Sequence, residues 1–346
     1  MIQRNRTLLW ALRSPCNLGC RYCYFGTIEE HRDHPADRVG QLSHLSRADL
    51  RAAETLRFAA TLADSAVKRV FLAGGEPLIW PAILDLITAI TAAGVDTVVC
   101  TNGIPLNRPH LVGGLLDAGV SAVSVSLDSV DPVYNDTWRP SRNGKDGYPQ
   151  VLSGICTLLA ARGARPAPRV GIYSVITRNN LNDVTAVAQL AADLGCDYVV
   201  PQPISLATSH RLHDTLALTA AHTEPLSRAY AALYDAPPAG IRLPSRPFPD
   251  QVAAAVRTAT ATARGCFGGH TLNFIEPDGS VWDCPSGLRI AATAPERRRS
   301  IVGASAAELF PPPTGAPADC PLFSVDCVNM WPLMRDFDTT TQGHRS

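Results

Sequence analysis

Short apolar, β-branched segments alternate with longer helical segments over more than half of this chain, and this alternation limits the fold more than any other feature. Six segments are predicted as buried strands: residues 8–12, 70–73, 95–100, 122–127, 170–176 and 198–200. Helices are predicted between them at residues 47–64, 81–93, 108–118, 148–162 and 181–194. Strands that are separated by helices predict a parallel sheet with right-handed crossovers.

Helix boundaries are marked by residues that favour caps. The first predicted helix has Ser46 as its N-cap, with Asp49 three residues later. Glycines follow the other four helices at the positions expected for C-caps: Gly94, Gly119, Gly163 and Gly195.

Four motifs follow the first four predicted strands. In parallel α/β sheets the ligand-binding loops leave the C-terminal ends of the strands. A cysteine loop follows the first strand, and the other three motifs are Gly74-Gly75-Glu76-Pro77, Thr101-Asn102-Gly103 and Ser126-Leu127-Asp128. We therefore expect the four motifs to meet at one edge of the sheet.

The cysteine loop carries Cys16, Cys20 and Cys23 with the spacing C-x3-C-x2-C. Three thiolates can ligate three irons of a cubane cluster and leave the fourth iron open to a small molecule. A zinc site normally has four ligands, and the nearest further Cys or His is His31. A disulfide scaffold is disfavoured because the chain is long and its first residues do not resemble a secretory leader.

The cysteine triplet together with Gly74-Gly75-Glu76-Pro77 resembles the radical S-adenosylmethionine (radical SAM) superfamily. The resemblance implies a partial (β/α)6 TIM-like barrel of the α/β class. It also implies a [4Fe-4S] cluster whose open iron chelates the amino and carboxylate groups of S-adenosylmethionine (AdoMet). One electron from the cluster would cleave AdoMet and release a 5′-deoxyadenosyl radical that removes a hydrogen atom from the substrate.

The same resemblance assigns AdoMet-binding roles to residues of the four motifs. Tyr22 would pack against the adenine, Gly74 and Gly75 would let the backbone approach the methionine moiety, and Glu76 would hold its ammonium group. Asn102, Ser126 and Asp128 would offer polar groups to the ribose or carboxylate. Arg139 would pair with the AdoMet carboxylate, or else form a surface ion pair. Arg178, Asn180 and Gln202 follow the fifth and sixth strands and are candidates for substrate contact.

A second set of cysteines lies near the C-terminus: Cys266, Cys284, Cys320 and Cys327. Residues 274–282 predict a hairpin with Asp278-Gly279 as its turn, and the spacing from Cys266 through Gly279 to Cys284 resembles the opening of SPASM and Twitch domains. Four thiols suffice for one auxiliary [4Fe-4S] cluster. A structural zinc ion is an alternative, and another is that one unligated thiol donates a hydrogen atom, as in an epimerase. Cys100, Cys156 and Cys196 are interpreted as packing residues.

Three segments are predicted: a barrel at residues 1–205, a helical linker at residues 206–263 and a SPASM/Twitch-like domain at residues 264–346. The net charge is zero and the arginines are scattered, which disfavours nucleic acid as a partner; Arg297-Arg298-Arg299 is interpreted as a solvated loop. No apolar run approaches the length of a membrane helix, so a cytoplasmic protein is expected, reduced by a flavodoxin- or ferredoxin-type protein. The loop from Tyr24 to Leu45 could cover the cluster or contact substrate.

Three functions remain open on the sequence. The first is a dehydrogenase, epimerase or coupling enzyme of natural-product metabolism that acts on a sugar, aminocyclitol or nucleoside. The second is a maturase of ribosomally made peptides that forms thioether or C–C crosslinks. The short segment before the first strand favours the small-molecule substrate slightly. The third is a non-catalytic iron–sulfur protein for electron transfer or redox sensing.

Overall fold

The computed structural model describes residues 5–12, 15–25, 49–144, 147–257 and 262–336. Within them, one nine-stranded sheet has the order β6-β5-β4-β3-β2-β1-β7-β8-β9. Strands β1 to β6 are parallel and confirm the six predicted strands. The strands are β1 Arg6–Ala11, β2 Val67–Ala73, β3 Asp96–Thr101, β4 Ala122–Ser126, β5 Arg169–Ile176, β6 Tyr198–Pro203, β7 Leu272–Ile275, β8 Ser280–Trp282 and β9 Arg299–Ser300. The fold is therefore an α/β partial barrel.

Helices connect the barrel strands, as the alternation predicted. Those up to β6 are α1 Ala52–Ala59, α2 Ile83–Ala92, α3 Pro109–Asp117, α4 Pro132–Trp138, α5 Gly147–Arg162 and α6 Val184–Leu194. After β6 follow α7 His213–Leu216, α8 Thr223–Asp235, α9 Phe248–Arg257, α10 Gly287–Ala291, α11 Ala306–Leu309 and α12 Val325–Trp331. The predicted glycine caps are confirmed, with a positive φ that reaches 83° at Gly195.

Two helices differ from the prediction. Helix α1 begins at Ala52 rather than at residue 47, because the Leu50 N–H donates to the Pro277 carbonyl at 2.8 Å and Arg51 is extended. The predicted N-cap, Ser46, lies outside the described residues. Helix α4 was not predicted; its N-cap is Asp131, whose carboxylate accepts a hydrogen bond from the Val133 N–H at 2.9 Å. Pro132 occupies its first turn, so the Asp-Pro pair was the available signal.

The barrel sheet is buried on both sides. On β1, Leu8 and Trp10 belong to the large core beneath the helices, and the Trp10 ring meets Phe58 edge-on at 5.7 Å. Leu9 and Ala11 point to the opposite side and belong to a smaller cluster inside the barrel. Full burial of each large apolar side chain stabilises the fold by about 1.5–3 kcal/mol.

Tyr198 fills the interior at the start of β6. Its ring lies against Gly171 of the neighbouring strand, where an added Cβ would come within 2.2 Å of the ring. The Tyr198 hydroxyl shares a hydrogen bond of 2.8 Å with Ser124. The interior beside Ser124 is therefore packed, and open space remains beyond it towards the C-terminal ends of the strands.

The predicted hairpin is confirmed and is part of the barrel sheet. Gly279 has a φ of 86°, and the Asp278 carboxylate accepts a hydrogen bond from the Ser280 N–H at 2.9 Å. Strand β7 pairs with β1 in parallel, from Thr7 opposite Leu272 to Trp10 opposite Ile275. The segment that carries the second cysteine set thus extends the barrel sheet, and its division into separate domains stays a prediction.

Glu276 at the end of this hairpin should make stability depend on pH. Burial, followed by the charge of Asp278, raises the pKa of Glu276 from 4.5 to about 8. Because the pKa of Glu276 is higher in the folded than in the unfolded state, its contribution to the free energy of unfolding is complete below pH 4.5 and is lost as the pH rises to 8. The free energy of unfolding falls by at most about 1.4 kcal/mol per pH unit in this range. Urea unfolding at pH 5 and pH 8 should show a larger loss in the wild type than in Glu276→Gln. Exposed Glu224→Gln is the control, and identical losses in all three proteins would contradict this role.

No helix within the described ranges is both long enough and apolar enough to cross a bilayer.

Candidate functional site

A cavity of about 300 Å³ opens at the C-terminal ends of the barrel strands. It brings together most of the residues selected from the sequence: Cys16, Cys20, Tyr22, Cys23, Gly74, Gly75, Asn102, Ser126, Asp128, Arg139 and Gln202. Cys100 also lines it, so this thiol does not only fill the core. Glu76, Arg178 and Asn180 are not among the described residues that line the cavity.

The cysteine loop is held by the segment that follows α4. The Gly19 N–H donates to the Pro140 carbonyl at 2.8 Å, and the Arg21 N–H donates to the Trp138 carbonyl at 2.9 Å. In return, the Arg142 N–H donates to the Asn17 carbonyl at 3.0 Å. The loop conformation is thus fixed by main-chain hydrogen bonds, which are independent of any metal.

The thiol of Cys16 is partly buried and receives two N–H donors. The Leu18 N–H and the Asn102 side-chain amide lie 3.4 and 3.6 Å from its Sγ. Burial, and then the charge of Glu76, raises the pKa of Cys16 to about 12. A bound iron would favour the thiolate, which is the form that both donors stabilise.

Glu76 lies behind the cavity wall, completely buried. Its carboxylate accepts hydrogen bonds from the Thr101 hydroxyl at 2.8 Å, the Asn102 N–H at 2.7 Å and the Leu78 N–H at 3.0 Å. Burial raises its pKa to about 7 although these three donors oppose the rise. Glu76 therefore ties the ends of β2 and β3 together, and a contact with the AdoMet ammonium stays a prediction.

Asp128 joins Tyr22 and Arg139, and all three residues are buried. The Tyr22 hydroxyl donates to its Oδ2, and Arg139 Nη1 lies 3.6 Å from the same oxygen. Its Oδ1 accepts a hydrogen bond from the Val175 N–H at 2.8 Å. Arg139 also interacts electrostatically with Cys20, so a single guanidinium connects Asp128 to the cysteine loop.

Asn102 and Ser126 are the two other residues predicted to contact AdoMet with polar groups. The Asn102 amide donates to Asn17 Oδ1 at 2.7 Å, and its own oxygen accepts from the Ile104 N–H at 3.1 Å. Ser126 ends β4 on the cavity wall. Gly74 has a φ of 129°, a conformation that side chains other than glycine rarely adopt.

Asn180 and Arg178 have structural partners instead. The Asn180 amide donates to the Asp128 carbonyl at 2.7 Å and is buried, whereas Arg178 binds the Ala217 and Asp214 carbonyls.

Among the cysteines interpreted as packing residues, Cys196 is buried, but Cys156 is exposed on α5 and that interpretation was wrong. Most of the loop from Tyr24 to Leu45 lies outside the described residues.

The four C-terminal cysteines are close enough to interact with one another. Cys266 interacts electrostatically with Cys320, Cys284 and Cys327. Main-chain bonds between Ala263 and Cys320, at 2.8 and 2.9 Å, close this segment. Burial raises the pKa of Cys327 to about 11, as expected for a thiol that is shielded from water.

Both cysteine sets supply thiol ligands, the donor type that iron–sulfur clusters use. Within the described part of the chain, no three His, Cys, Asp or Glu side chains converge as the ligands of one metal ion would. In a cubane cluster each thiolate binds a different iron, so the ligands need not meet at one point. Cys16, Cys20 and Cys23 fit such a cluster, with Asn102 as a second contact of Cys16.

The C-terminal segment supplies a wall of the cavity that the sequence did not reveal. Asn329 and Met330 of α12 line it, together with Leu333. Asp326 of the same helix is buried and accepts a hydrogen bond from Ser205 at 2.6 Å. It also interacts electrostatically with Tyr24, whose hydroxyl donates to the Pro285 carbonyl at 3.1 Å. Because Tyr24 follows Cys23 and Asp326 precedes Cys327, this contact connects the two cysteine sets. In the sequence, the available signal for this contact was that Tyr24 and Asp326 each lie next to a cysteine.

Sequence comparisons agree with this geometry. The AdoMet-dependent heme synthase of Methanosarcina barkeri is 29% identical over 196 residues, which are 56% of this chain and 49% of that protein. The GTP 3′,8-cyclase of Chlorobaculum tepidum is 31% identical over 199 residues, 56% of this chain and 52% of that protein. The chain thus spans about half the length of the curated relatives it matches.

Solved structures share the fold at low identity. The enzyme anSMEcpe with bound AdoMet has a TM-score of 0.61 at 17% identity, over 88% of this chain and 80% of the other. SuiB of Streptococcus suis has a TM-score of 0.61 at 14% identity, over 87% and 64%. The family model described as "Radical SAM superfamily" matches residues 15–191. The cysteine loop, the glycine motif and strands β2 to β5 lie within that match. The chain therefore belongs to the radical SAM superfamily, whose members use a [4Fe-4S] cluster with AdoMet.

Proposed function

We propose that this radical SAM enzyme abstracts a hydrogen atom from a polar small molecule of natural-product metabolism, a sugar, aminocyclitol or nucleoside. When bound, the cluster and AdoMet supply the 5′-deoxyadenosyl radical. Cys16, Cys20 and Cys23 would hold the cluster, and Gly74, Gly75, Ser126 and Tyr22 would surround AdoMet. Dehydrogenation, epimerisation and C–C coupling are the outcomes this proposal covers.

The polar wall between β6 and α12 is the observation that carries the substrate proposal. Ser205 donates its hydroxyl hydrogen to Asp326, so only the lone pairs of its oxygen remain for a ligand. The Asn329 amide donates to the Pro203 carbonyl at 3.1 Å, which fixes its orientation. Its Oδ1 is buried and has no hydrogen-bond partner within the described residues. Such a wall suits a ligand that is rich in hydroxyl or amino donors.

Asn329→Leu should weaken substrate binding. Loss of the acceptor removes about 0.5–1.5 kcal/mol of binding free energy, which corresponds to a roughly two- to thirteenfold rise in KM. Asn329→Asp loses the same bond to Pro203 but keeps an acceptor oxygen, so its KM should rise less. Steady-state kinetics measures both values, and equal KM values for wild type and Asn329→Leu would contradict the assignment.

Hydrogen transfer tests the function itself. The reconstituted enzyme is incubated with AdoMet, dithionite and deuterated candidates from two groups, aminocyclitols, sugars and nucleosides in one and peptides in the other. Deuterium in 5′-deoxyadenosine from the first group supports the proposal. Transfer from peptides alone would replace it with the maturase function, and absence of 5′-deoxyadenosine under all conditions would refute both.

The comparisons supply arguments for both substrate classes. The relatives by sequence include a GTP cyclase and an S-adenosylmethionine-dependent nucleotide dehydratase of Flammeovirga pacifica, whose names state nucleotide substrates. The structural neighbours include SuiB bound to its precursor peptide SuiA, with a TM-score of 0.59. At 15% identity that likeness concerns the fold, so the peptide maturase is the second candidate.

The C-terminal cysteines extend the proposal to a second cluster. We assign Cys266, Cys284, Cys320 and Cys327 to one auxiliary [4Fe-4S] cluster of the Twitch type. The four cysteines lie in the segment that extends the barrel sheet, and Asp326 and Tyr24 connect them to the first cysteine set. This location suits an exchange of electrons between the auxiliary cluster and the substrate site.

A further inference from the structure

Arginines surround Asp283 next to the second cysteine set. Arg289 Nη2 lies 3.2 Å from Asp283 Oδ2, and Arg299 Nη2 lies 3.3 Å from Asp283 Oδ1. The Arg298 guanidinium lies 5.7 Å from the centre of the Trp282 ring. We call Arg289, Arg297, Arg298 and Arg299 the arginine surface.

The arginine surface borders the proposed auxiliary cluster. Asp283 immediately precedes Cys284. Arg289 interacts electrostatically with Cys320 and Cys284, and also with Cys266. A charge placed at this surface is therefore close to three of the four cysteines.

Positive charge exceeds negative charge at this place, although the whole chain has a net charge of zero. Residues 283–299 contain the four arginines and two carboxylates, Asp283 and Glu296. Arg297 and Arg298 are exposed, so their charges are available to a partner. Leu288 beside Arg289 is 53% exposed and adds an apolar contact to the charged surroundings.

We propose that the arginine surface is the docking site of an acidic one-electron carrier protein that exchanges electrons with the auxiliary cluster. This rests on the proposed function, because a carrier is needed only if the C-terminal cysteines hold a redox cluster. Acidic side chains on the carrier would complement the arginines, and the exposed Leu288 beside Arg289 would supply apolar contact.

With a flavodoxin as the carrier, one electron leaves the flavin and one electron enters the cluster. An anionic flavin hydroquinone gives up one electron and becomes the neutral semiquinone. The oxidised auxiliary cluster accepts that electron, and no bond to the protein forms or breaks. Electron removal after substrate oxidation would run in the opposite direction through the same surface.

Charge reversal at Arg297 tests the surface. The probe is an acidic flavodoxin in its hydroquinone form, mixed anaerobically with the reconstituted protein in a stopped-flow instrument. Arg297→Glu should slow flavin oxidation about tenfold at low ionic strength, and the difference should shrink at high salt. Exposed Arg165→Glu, which makes the same charge change between α5 and β5, should keep the wild-type rate.

Dithionite separates this proposal from the proposed function. It is a small reductant, so Arg297→Glu and wild type should form 5′-deoxyadenosine from AdoMet at equal rates with it. Equal rates of flavodoxin oxidation with wild type and Arg297→Glu would overturn the docking site. So would a decrease in this rate for Arg165→Glu that equals the decrease for Arg297→Glu. Absence of AdoMet cleavage with dithionite in the wild type refutes the proposed function instead.

Discussion

Replacement of Cys16, Cys20 and Cys23 together by alanine is expected to abolish AdoMet cleavage and to halve the iron content. The anaerobically reconstituted wild type should contain about eight irons, four for each cubane cluster, and the variant about four. Retention of the second four follows from the separate location of the C-terminal cysteines, which contact one another and Arg289. Iron and sulfide analysis measures the content, and chromatography of 5′-deoxyadenosine measures the activity.

The matched control for this variant is Cys156→Ala. Cys156 is exposed on α5 and away from both cysteine sets, so its removal should leave eight irons and full activity. Eight irons in the triple variant would contradict the cluster assignment. A wild type with about four irons, falling to none in the variant, and with zinc in the C-terminal segment, would remove the auxiliary cluster and the dehydrogenase outcome with it.

Asp128→Asn is expected to destabilise the protein by about 3–5 kcal/mol, because it leaves the charge of Arg139 buried without its carboxylate partner. Both side chains are almost inaccessible, at 2% and 7% exposure, and Arg139 also interacts electrostatically with Cys20. Loss of the pair should therefore also loosen the cysteine loop and lower the iron content. Urea unfolding of the metal-free protein measures the stability, and iron analysis measures the loading.

A double variant and a variant of an exposed ion pair serve as controls for this prediction. Arg139→Met in the Asp128→Asn background removes the unpaired charge, so the double variant should be more stable than Asp128→Asn alone. Asp96→Asn breaks an ion pair with Arg69 in which the aspartate is 55% exposed, and it should change stability by less than about 1 kcal/mol. Equal losses for Asp96→Asn and Asp128→Asn would contradict the structural importance of the buried pair.

The barrel could be predicted because its signals are local. Each strand is an apolar run of a few residues, and glycines such as Gly94 and Gly195 end the helices, so neither depends on distant contacts. The convergence of the cysteine loop with Gly74, Asn102 and Asp128 followed from a rule of parallel sheets rather than from any single motif.

Contacts between distant parts of the chain could not be predicted in the same way. Pairing of β7 with β1 joins residues more than 260 positions apart, and nothing in either short strand specifies its partner. Asn329 reaches the cavity only because α12 packs at the mouth of the barrel. Glu76 was expected to hold a ligand, yet the sequence could not show that Thr101, Asn102 and Leu78 occupy its carboxylate oxygens.

The pairing of β7 with β1 has a consequence for biosynthesis. While the ribosome is adding residues up to about 270, β1 has β2 on one side and an unpaired row of main-chain N–H and C=O groups on the other. An unpaired sheet edge can pair with another chain, so the nascent barrel is prone to aggregation during this interval. The segment from residue 272 onwards thus covers the free edge of the first strand, and the barrel sheet cannot be completed until the ribosome has added that segment.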